Sequence, residues 1–126
     1  METNLKPGIK GLEEQIVVFE DTAAKYGSGL VEVFATPAMI AMMEKTCLKS
    51  VLPFLPDGFG TVGTKVNIAH IKATPVGMKV FCESELVEVD GRRLVFRLIA
   101  RDEQGEIGNG QHERFIIDVK KFMSKQ

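Results

Sequence analysis

Residues 36–52 read TPAMIAMMEKTCLKSVL, and this helical pattern decides the fold of the chain. Thr36 is a good N-cap because its side-chain oxygen can accept a backbone N–H, and Pro37 suits the first helical position. The helix is predicted to end before Pro53, which cannot continue it. From Ala38 to Met43 the helix is apolar on every side, whereas a surface helix shows one apolar stripe. We therefore predict that other parts of the chain cover this helix on nearly all sides.

The segments around this helix have the composition of strands. β-Branched residues and alternating patterns predict five strands, at Gln15–Glu20, Thr61–Ile71, Met78–Val89, Arg93–Arg101 and Glu106–Val119. In the fourth strand one face is predicted to carry Leu94, Phe96, Leu98 and Ala100. Loops are predicted at Asp21–Gly29, Pro53–Gly60 and Ala73–Gly77, and tight turns at Asp90–Gly91 and Gln104–Gly105. The predicted order is strand, helix, and then four strands joined largely by hairpins.

A chain of 126 residues has room for one domain. In so small a domain a helix is covered all round only if an antiparallel sheet curls around it. We predict that residues 1–126 form a single α+β domain with the hot-dog fold, an antiparallel sheet wrapped around one long central helix. Long hairpin strands also leave a sheet edge that needs pairing. A homodimer with its sheets joined edge to edge, alone or as a dimer of dimers, is therefore expected.

Charge and composition exclude several classes of protein. The chain has 16 basic and 17 acidic side chains and a net charge of -1, whereas nucleic-acid binders usually carry a basic excess. No segment approaches the roughly 20 apolar residues of a membrane span. Cys47 and Cys82 are too few for a disulfide framework and lack metal-ligand spacing. We expect a soluble, cytoplasmic protein with two reduced core cysteines, no metal and no cofactor.

Three side chains are candidates for chemistry on physical grounds. Glu44 directly follows the apolar run, and a carboxylate buried there would be hydrogen-bonded, paired or functional; alternatively it begins a polar section that faces solvent. Thr36 lies about 12 Å away along an ideal helix, near enough to line the same groove, although capping alone also explains it. His70 ends a strand, and a lone histidine is more often a packing or surface residue. His112 has the same ambiguity, within the glycine-rich strand segment 108–114.

Common catalytic motifs are missing from the sequence. It contains no GxSxG elbow, no P-loop and no GxGxxG after a strand, so hydrolase-fold, NTPase and dinucleotide-binding functions lack support. Gly63 is a glycine inside a predicted strand, where the backbone N–H can face a reacting carbonyl. None of these signals is specific by itself.

Five stretches taken together resemble one known family. They are VFATPAMIAMME at 33–44, Val62–Thr64, His70–Gly77, Glu88–Leu94 and Ile107–Arg114. From about Val33 to Phe122 their order and spacing are similar to those of the fluoroacetyl-CoA thioesterase-like hot-dog proteins. The segment before Val33 matches no lid or selectivity element of that family, which leaves the acyl group open.

The resemblance implies hydrolysis of an acyl-CoA, with a short acyl chain expected. It implies a Thr/Glu/His catalytic group, which falls on Thr36, Glu44 and His70. It also implies that Gly63 lies beside the thioester and that Arg114 lies near the site or the CoA. Glu44 can then act as a base on water or attack directly, while His70 polarises the carbonyl or protonates the leaving thiolate. Thr36 can orient the reacting groups or act as the nucleophile, and the sequence does not choose among these roles.

Two other functions compete with hydrolysis. A hot-dog hydratase or dehydratase would require an Asp/His pair, but no Asp lies in the helix or near His70. A non-catalytic acyl-CoA binding or sensing module would keep the fold without turnover. The presence of Thr36, Glu44 and His70 together favours the thioesterase.

Overall fold

A five-stranded antiparallel sheet packs against one long helix in the computed structural model, which describes residues 3–126. In chain order the elements are β1 (Lys10–Ile16), α1 (Ala23–Tyr26), α2 (Thr36–Val51), β2 (Phe59–His70), β3 (Lys79–Asp90), β4 (Arg93–Asp102), β5 (Gly105–Asp118) and α3 (Val119–Ser124). Short 3-10 turns lie at Phe19–Asp21 and Leu52–Phe54. The strand order is β1-β3-β4-β5-β2, and all neighbouring strands are antiparallel. The predicted α+β architecture is confirmed.

The N-terminus of α2 differs from the prediction. Ala35, with extended backbone angles, is the N-cap residue, and Thr36 is the first residue of the helix. No side chain caps this end, so the predicted capping role of Thr36 was wrong. Pro37 lies in the first turn, where its missing N–H would have had no helical partner in any case. The helix ends at Val51, before the 3-10 turn that contains Pro53.

The sheet covers only one face of α2. The buried residues of this helix recur at three- and four-residue spacing: Ala38, Met39, Met42, Met43, Thr46, Cys47 and Val51. Ala41 and Lys45, on the other side, are exposed. The prediction that the helix is covered on nearly all sides was therefore wrong for the single chain, because five strands curl far enough to bury only one broad stripe of it.

The first strand lies earlier in the chain than predicted. β1 spans Lys10–Ile16 and pairs with β3, whereas the prediction placed a strand at Gln15–Glu20. The apolar residues that suggested that strand leave the sheet: Val17 is buried in the core, and a 3-10 turn follows at Phe19. β1 has the largely polar sequence KGLEEQI, in which exposed and half-buried residues alternate. This polar composition hides its strand character in the sequence. The loop predicted after it contains the short helix α1.

Both predicted tight turns are present but shifted by one residue. Asp90 pairs with Arg93, so the two-residue turn consists of Gly91 and Arg92 rather than Asp90 and Gly91. Gly91 has a φ of 61°, as the first central position of a type II′ hairpin turn requires. The β4–β5 turn is shifted in the opposite direction, because Asp102 pairs with Gly105 and the turn consists of Glu103 and Gln104. The four buried β4 residues predicted to share one face all lie in the core.

β2 is an edge strand with a bulge. It pairs with β5 on one side only, and the pairing register shifts between Gly63 and Lys65. Beyond this bulge His70 pairs with Gly108, while before it Gly63 pairs with Arg114. Paired residues lie on the same face of the sheet, and the two β5 partners, Gly108 and Arg114, share a face because they are six positions apart. Gly63 and His70 therefore both face α2, although seven positions separate them in sequence.

The interior contains two free cysteines. Cys47 and Cys82 are buried, and burial raises the pKa of both thiols. Residues 3–126 include no group of three or more His, Cys, Asp or Glu side chains arranged to hold a metal ion. Among the helices of the same residues, none has both the length and the apolar character that crossing a membrane requires.

Candidate active site

The first of two polar groups lies where α2 begins and β2 ends. The Thr36 hydroxyl lies 2.8 Å from Nδ1 of His70, the last residue of β2. Both side chains line a cleft of about 440 Å³ between α1, the start of α2 and the segment after β2. Because Thr36 does not cap the helix, its hydroxyl is available for this contact. The structure thus brings two of the predicted site residues into hydrogen-bond contact.

Burial favours the neutral form of the His70 imidazole and lowers its pKa from the ordinary value of 6.5, while the nearby Lys72 backbone opposes this effect. In a neutral ring one nitrogen carries the proton and the other accepts. Nε2 is buried and has no hydrogen-bond partner among residues 3–126. One ring nitrogen therefore remains free for a group that the described chain does not supply.

The second group surrounds Glu44, which lies roughly two helical turns after Thr36 in α2. Its Oε2 lies 3.8 Å from Nη1 of Arg114 and 4.0 Å from Nε2 of His112. The Glu44 side chain is 41% exposed, so of the two alternatives left open by the sequence, the solvent-facing one describes the single chain better. Glu44 faces solvent on one side and a buried cation on the other. A carboxylate in this position can both meet a substrate and respond to a fixed positive charge.

Arg114 is anchored almost completely by the sheet. Its Nε donates to Thr61 Oγ1 at 2.7 Å, and Nη2 donates to the Thr61 carbonyl oxygen at 2.9 Å. Nη1 lies 3.0 Å from Nε2 of His112. Burial lowers the pKa of Arg114, while the nearby Cys47 and Glu44 raise it. The guanidinium nevertheless remains charged at neutral pH, so it presents a fixed cation towards Glu44.

His112, which lies in the glycine-rich strand segment 108–114, also belongs to this group. It is buried, and its Nδ1 lies 2.8 Å from the Lys65 carbonyl oxygen. Arg114 can only donate, so Nε2 of His112 accepts and Nδ1 carries the proton that is donated to Lys65. Burial, together with the Arg114 cation, lowers the pKa of His112. The signal that points to this residue is its spacing of two from Arg114 in a strand, which places both on one face.

Gly63 leaves the space that this arrangement needs. A Cβ atom built on Gly63 would lie 2.8 Å from Oε2 of Glu44 and 3.1 Å from Cε1 of His112. Any other residue would therefore push the carboxylate or the imidazole away. A glycine in a strand often marks such a close approach.

The two groups are separate in the single chain. Thr36 and Glu44 are about 12 Å apart along the axis of α2, as their spacing of eight residues requires. Gly63 and His70 are roughly 20 Å apart along β2. The structure thus joins Thr36 with His70, and Glu44 with Gly63, His112 and Arg114. It makes no direct contact between Glu44 and either Thr36 or His70.

Comparison with known proteins identifies the family. Residues 17–120 match the family described as FlK, fluoroacetyl-CoA-specific thioesterase. The match begins before the predicted start at Val33. The fluoroacetyl-CoA thioesterase of Streptantibioticus cattleyicolor is 45% identical over 94 residues, which cover 75% of this chain and 68% of that protein.

Solved structures agree with this assignment. A variant of the fluoroacetyl-CoA-specific thioesterase FlK, in complex with fluoroacetate and CoA, is 35% identical and has a TM-score of 0.88, covering 94% of this chain and 99% of its own. A hot-dog-like protein from Thermanaerovibrio acidaminovorans has a TM-score of 0.87 at 22% identity, over 96% of this chain and 90% of its own, which supports the fold alone. The chain has the hot-dog fold and belongs to the fluoroacetyl-CoA-specific thioesterase family.

Proposed function

We propose that Thr36, Glu44 and His70 are the catalytic residues of this acyl-CoA thioesterase. Gly63 and Arg114 lie beside Glu44 and contact the substrate. The observation that carries the proposal is the hydrogen bond between Thr36 and His70 at an open cleft, in a chain whose family is named for thioester hydrolysis. The paired but exposed carboxylate of Glu44 supplies the base.

Two copies of the chain complete the site. β2 lies at the edge of the sheet, and residues 63–67 are exposed. An exposed edge strand carries unpaired N–H and C=O groups that pair readily with another strand. Antiparallel pairing of β2 with β2 of a second copy joins the two sheets edge to edge. Because both polar groups lie along β2, this contact brings the group around Glu44 in one copy towards the group around His70 in the other.

A two-fold axis at Asn67 gives a register that unites the groups. With the bulged residue Thr64 left unpaired, Val66 then pairs with Ile68 of the second copy, and Gly63 pairs with its His70. Directly paired residues share a face and lie about 5 Å apart between Cα atoms. Glu44, which lies over Gly63, comes within reach of the second copy's His70. Symmetry makes two identical sites in each homodimer.

The chemistry follows from these positions. Thioester hydrolysis needs an activated nucleophile and a stabilised oxyanion. The Glu44 carboxylate takes a proton from a water molecule, and the water oxygen attacks the thioester carbonyl carbon. The Arg114 cation and the free N–H groups at the start of α2 stabilise the oxyanion. The His70 ring, which Thr36 orients, donates a hydrogen bond to the carbonyl oxygen. When the C–S bond breaks, the CoA thiolate takes the proton that Glu44 received from water, and the products are a carboxylic acid and CoA.

Direct attack by Glu44 is the mechanistic alternative. It forms a mixed anhydride with the acyl group, which water then hydrolyses. A single turnover with excess enzyme in H₂¹⁸O tests for an anhydride that water hydrolyses at the Glu44 carbonyl. Attack by water labels the acid in the first turnover, as we expect. Attack by Glu44 followed by hydrolysis at the Glu44 carbonyl gives an unlabelled first product.

Release of free thiol from a panel of acyl-CoAs tests the function. We expect thiol release, with the shortest acyl chains hydrolysed fastest, since the relatives are named for the two-carbon fluoroacetyl group. Water addition to an enoyl-CoA without thiol release would indicate a hydratase instead. Saturable acyl-CoA binding with neither reaction would indicate a sensor.

We also propose that residues 1–126 fold as one domain and that the protein works in the cytoplasm. A single cluster of buried side chains links α2 with β3, β4 and β5, which supports one domain. The free, buried thiols of Cys47 and Cys82 are consistent with a reducing compartment.

A further inference from the structure

We infer that His112 is a positioning residue that holds the Arg114 guanidinium beside the Glu44 carboxylate but out of hydrogen-bond contact with it. This inference rests on the proposed function, because it assigns His112 a part in keeping Glu44 ready to act as a base. Neither the family match nor the relatives' names assign a role to this residue.

The distances support this role. Nη1 of Arg114 is 3.0 Å from Nε2 of His112, within hydrogen-bond range, and 3.8 Å from Oε2 of Glu44, which is beyond it. The other two guanidinium nitrogens donate to Thr61. The hydrogen bonds of the Arg114 guanidinium are thus directed at Thr61 and at His112. The carboxylate feels the charge without accepting a bond from it.

This arrangement departs from the usual behaviour of the two groups. Arginine and a carboxylate that can reach each other normally form a short, often bidentate, charge-assisted pair. Such a pair would occupy the lone pairs with which Glu44 accepts a proton from water. His112 accepts one of the two Nη1 hydrogens and so holds the guanidinium where Nη1 stays 3.8 Å from Oε2 of Glu44, and the carboxylate keeps its acceptor capacity.

The position of His112 is itself fixed. Its Nδ1–H donates to the Lys65 carbonyl oxygen at 2.8 Å, and Lys65 is the first residue after the bulge in β2. The ring is 2% exposed, and both of its nitrogens are bonded. It also packs against Gly63, where any Cβ atom would come within 3.1 Å. A ring held in this way has one orientation, and Nε2 points at Arg114.

Two substitutions test the role. His112→Phe keeps a planar ring but removes the acceptor, so Arg114 is free to close on Glu44. We expect kcat to fall by about tenfold to a hundredfold with little change in KM, the scale that a displacement of about 1 Å in a catalytic group produces. His112→Gln places an amide oxygen where Nε2 lies, and we expect it to recover most of kcat. Gln111→Phe, on the outer face of the same strand, is the matched control and should keep the wild-type kcat.

Two results would overturn the inference. One is a folded His112→Phe variant with wild-type kcat; the other is a His112→Gln variant as impaired as His112→Phe, which would indicate a merely structural role. Thermal unfolding of each variant reports whether it folds.

A second measurement does not depend on the His112 variants folding. Nitrogen-15 NMR of the wild-type protein, with His70→Gln used to separate the two histidine signals, should find the proton of His112 on Nδ1. A proton on Nε2 would overturn the inference. This measurement remains valid even if the wild type releases no thiol, which would refute the proposed function instead.

Discussion

The Thr36 hydroxyl and Nδ1 of His70 lie 2.8 Å apart and join the first turn of α2 to the last residue of β2, across 34 positions of the chain. Further along the same helix and strand, Oε2 of Glu44 lies 2.8 Å from where a Cβ atom on Gly63 would be. Helix and edge strand are thus fixed against each other at two points. The alignment of α2 along β2 determines where every proposed catalytic atom lies.

Removing the base should abolish most of the activity. Glu44→Gln keeps the size of the side chain but cannot accept a proton from water, so we expect turnover to fall at least about a hundredfold, the usual scale for loss of a general base. Thiol release from a good acyl-CoA substrate measures this. Glu83→Gln, which breaks an exposed ion pair with Arg101, is the matched control and should be nearly silent. Near-normal turnover by Glu44→Gln would rule out Glu44 as the base.

The Thr36 hydroxyl should matter for turnover rather than for the helix. Thr36→Val removes the bond to His70 and should lower kcat by about tenfold or more, within the range for loss of one positioned hydrogen-bond partner. Thr36→Ser keeps the hydroxyl and should retain most of the activity. Comparing kcat and the unfolding temperature of the two variants is the test. Equal activity of Val and Ser variants would remove the hydroxyl from the mechanism.

Alanine at position 63 should disturb the site without unfolding the protein. A Cβ atom there comes within 2.8 Å of Oε2 of Glu44, the end of a flexible side chain that can move away. We expect Gly63→Ala to lower kcat by about tenfold or more, because the base is displaced. Gly60→Ala is the control in the same strand, since its nearest neighbour is a Val119 methyl at 3.7 Å. If the two variants have the same kcat, the close approach has no catalytic importance.

Stability should decrease as the pH falls through the range in which histidine titrates. Burial lowers the pKa of His70 and of His112 from the ordinary value of 6.5, so the unfolded chain takes up protons at a higher pH than the folded chain. The free energy of unfolding therefore falls as the pH drops below about 6.5. Urea denaturation between about pH 7.5 and about pH 5.5 measures it, and His112→Gln should weaken the dependence. An unchanged midpoint over this range would contradict the neutral, buried state of both rings.

Two inactive variants should restore activity to each other if the site is shared between subunits. In a heterodimer of Glu44→Gln with His70→Asn, one site carries both substitutions and the other carries neither. Random mixing should therefore recover about a quarter of the wild-type activity, from the symmetry of the dimer. The variants are unfolded, mixed and refolded, and each variant refolded alone is the control. No recovery, with heterodimers confirmed by mass, would mean that each chain holds its own site.

The helix and four of the strands could be predicted because their patterns are local. Residues 36–52 show their helix through Pro37 and the apolar run, and β4 shows its face through Leu94 and Phe96. β1 could not be predicted, because its strand character comes from pairing with β3 and not from its own polar sequence. The coverage of α2 also depends on how far the sheet curls, which is a property of the whole domain.

The site could be predicted only in part, and mainly from the family resemblance rather than from local patterns. His70 was chosen from the family resemblance, and only the structure places its ring beside Thr36. Glu44 was chosen for burial, yet in the single chain its side chain is exposed and paired with Arg114. The sequence marks His112 by its glycine-rich segment but assigns it no role, since its importance comes from contacts with Lys65 and Arg114, 47 and two positions away.

The bulge in β2 makes this strand sensitive to length rather than to composition. Because the bulge absorbs one residue, Gly63 and His70 share a face although seven positions separate them; in a regular strand they would lie on opposite faces. Deleting any one of residues 65–69 would therefore turn His70 away from the helix. Deleting Thr64 itself would remove the bulge and leave six positions, so His70 would keep its direction. Between the bulge and His70, a one-residue insertion or deletion is consequently the more severe genetic lesion, and homologous sequences should vary there in residue type far more readily than in length.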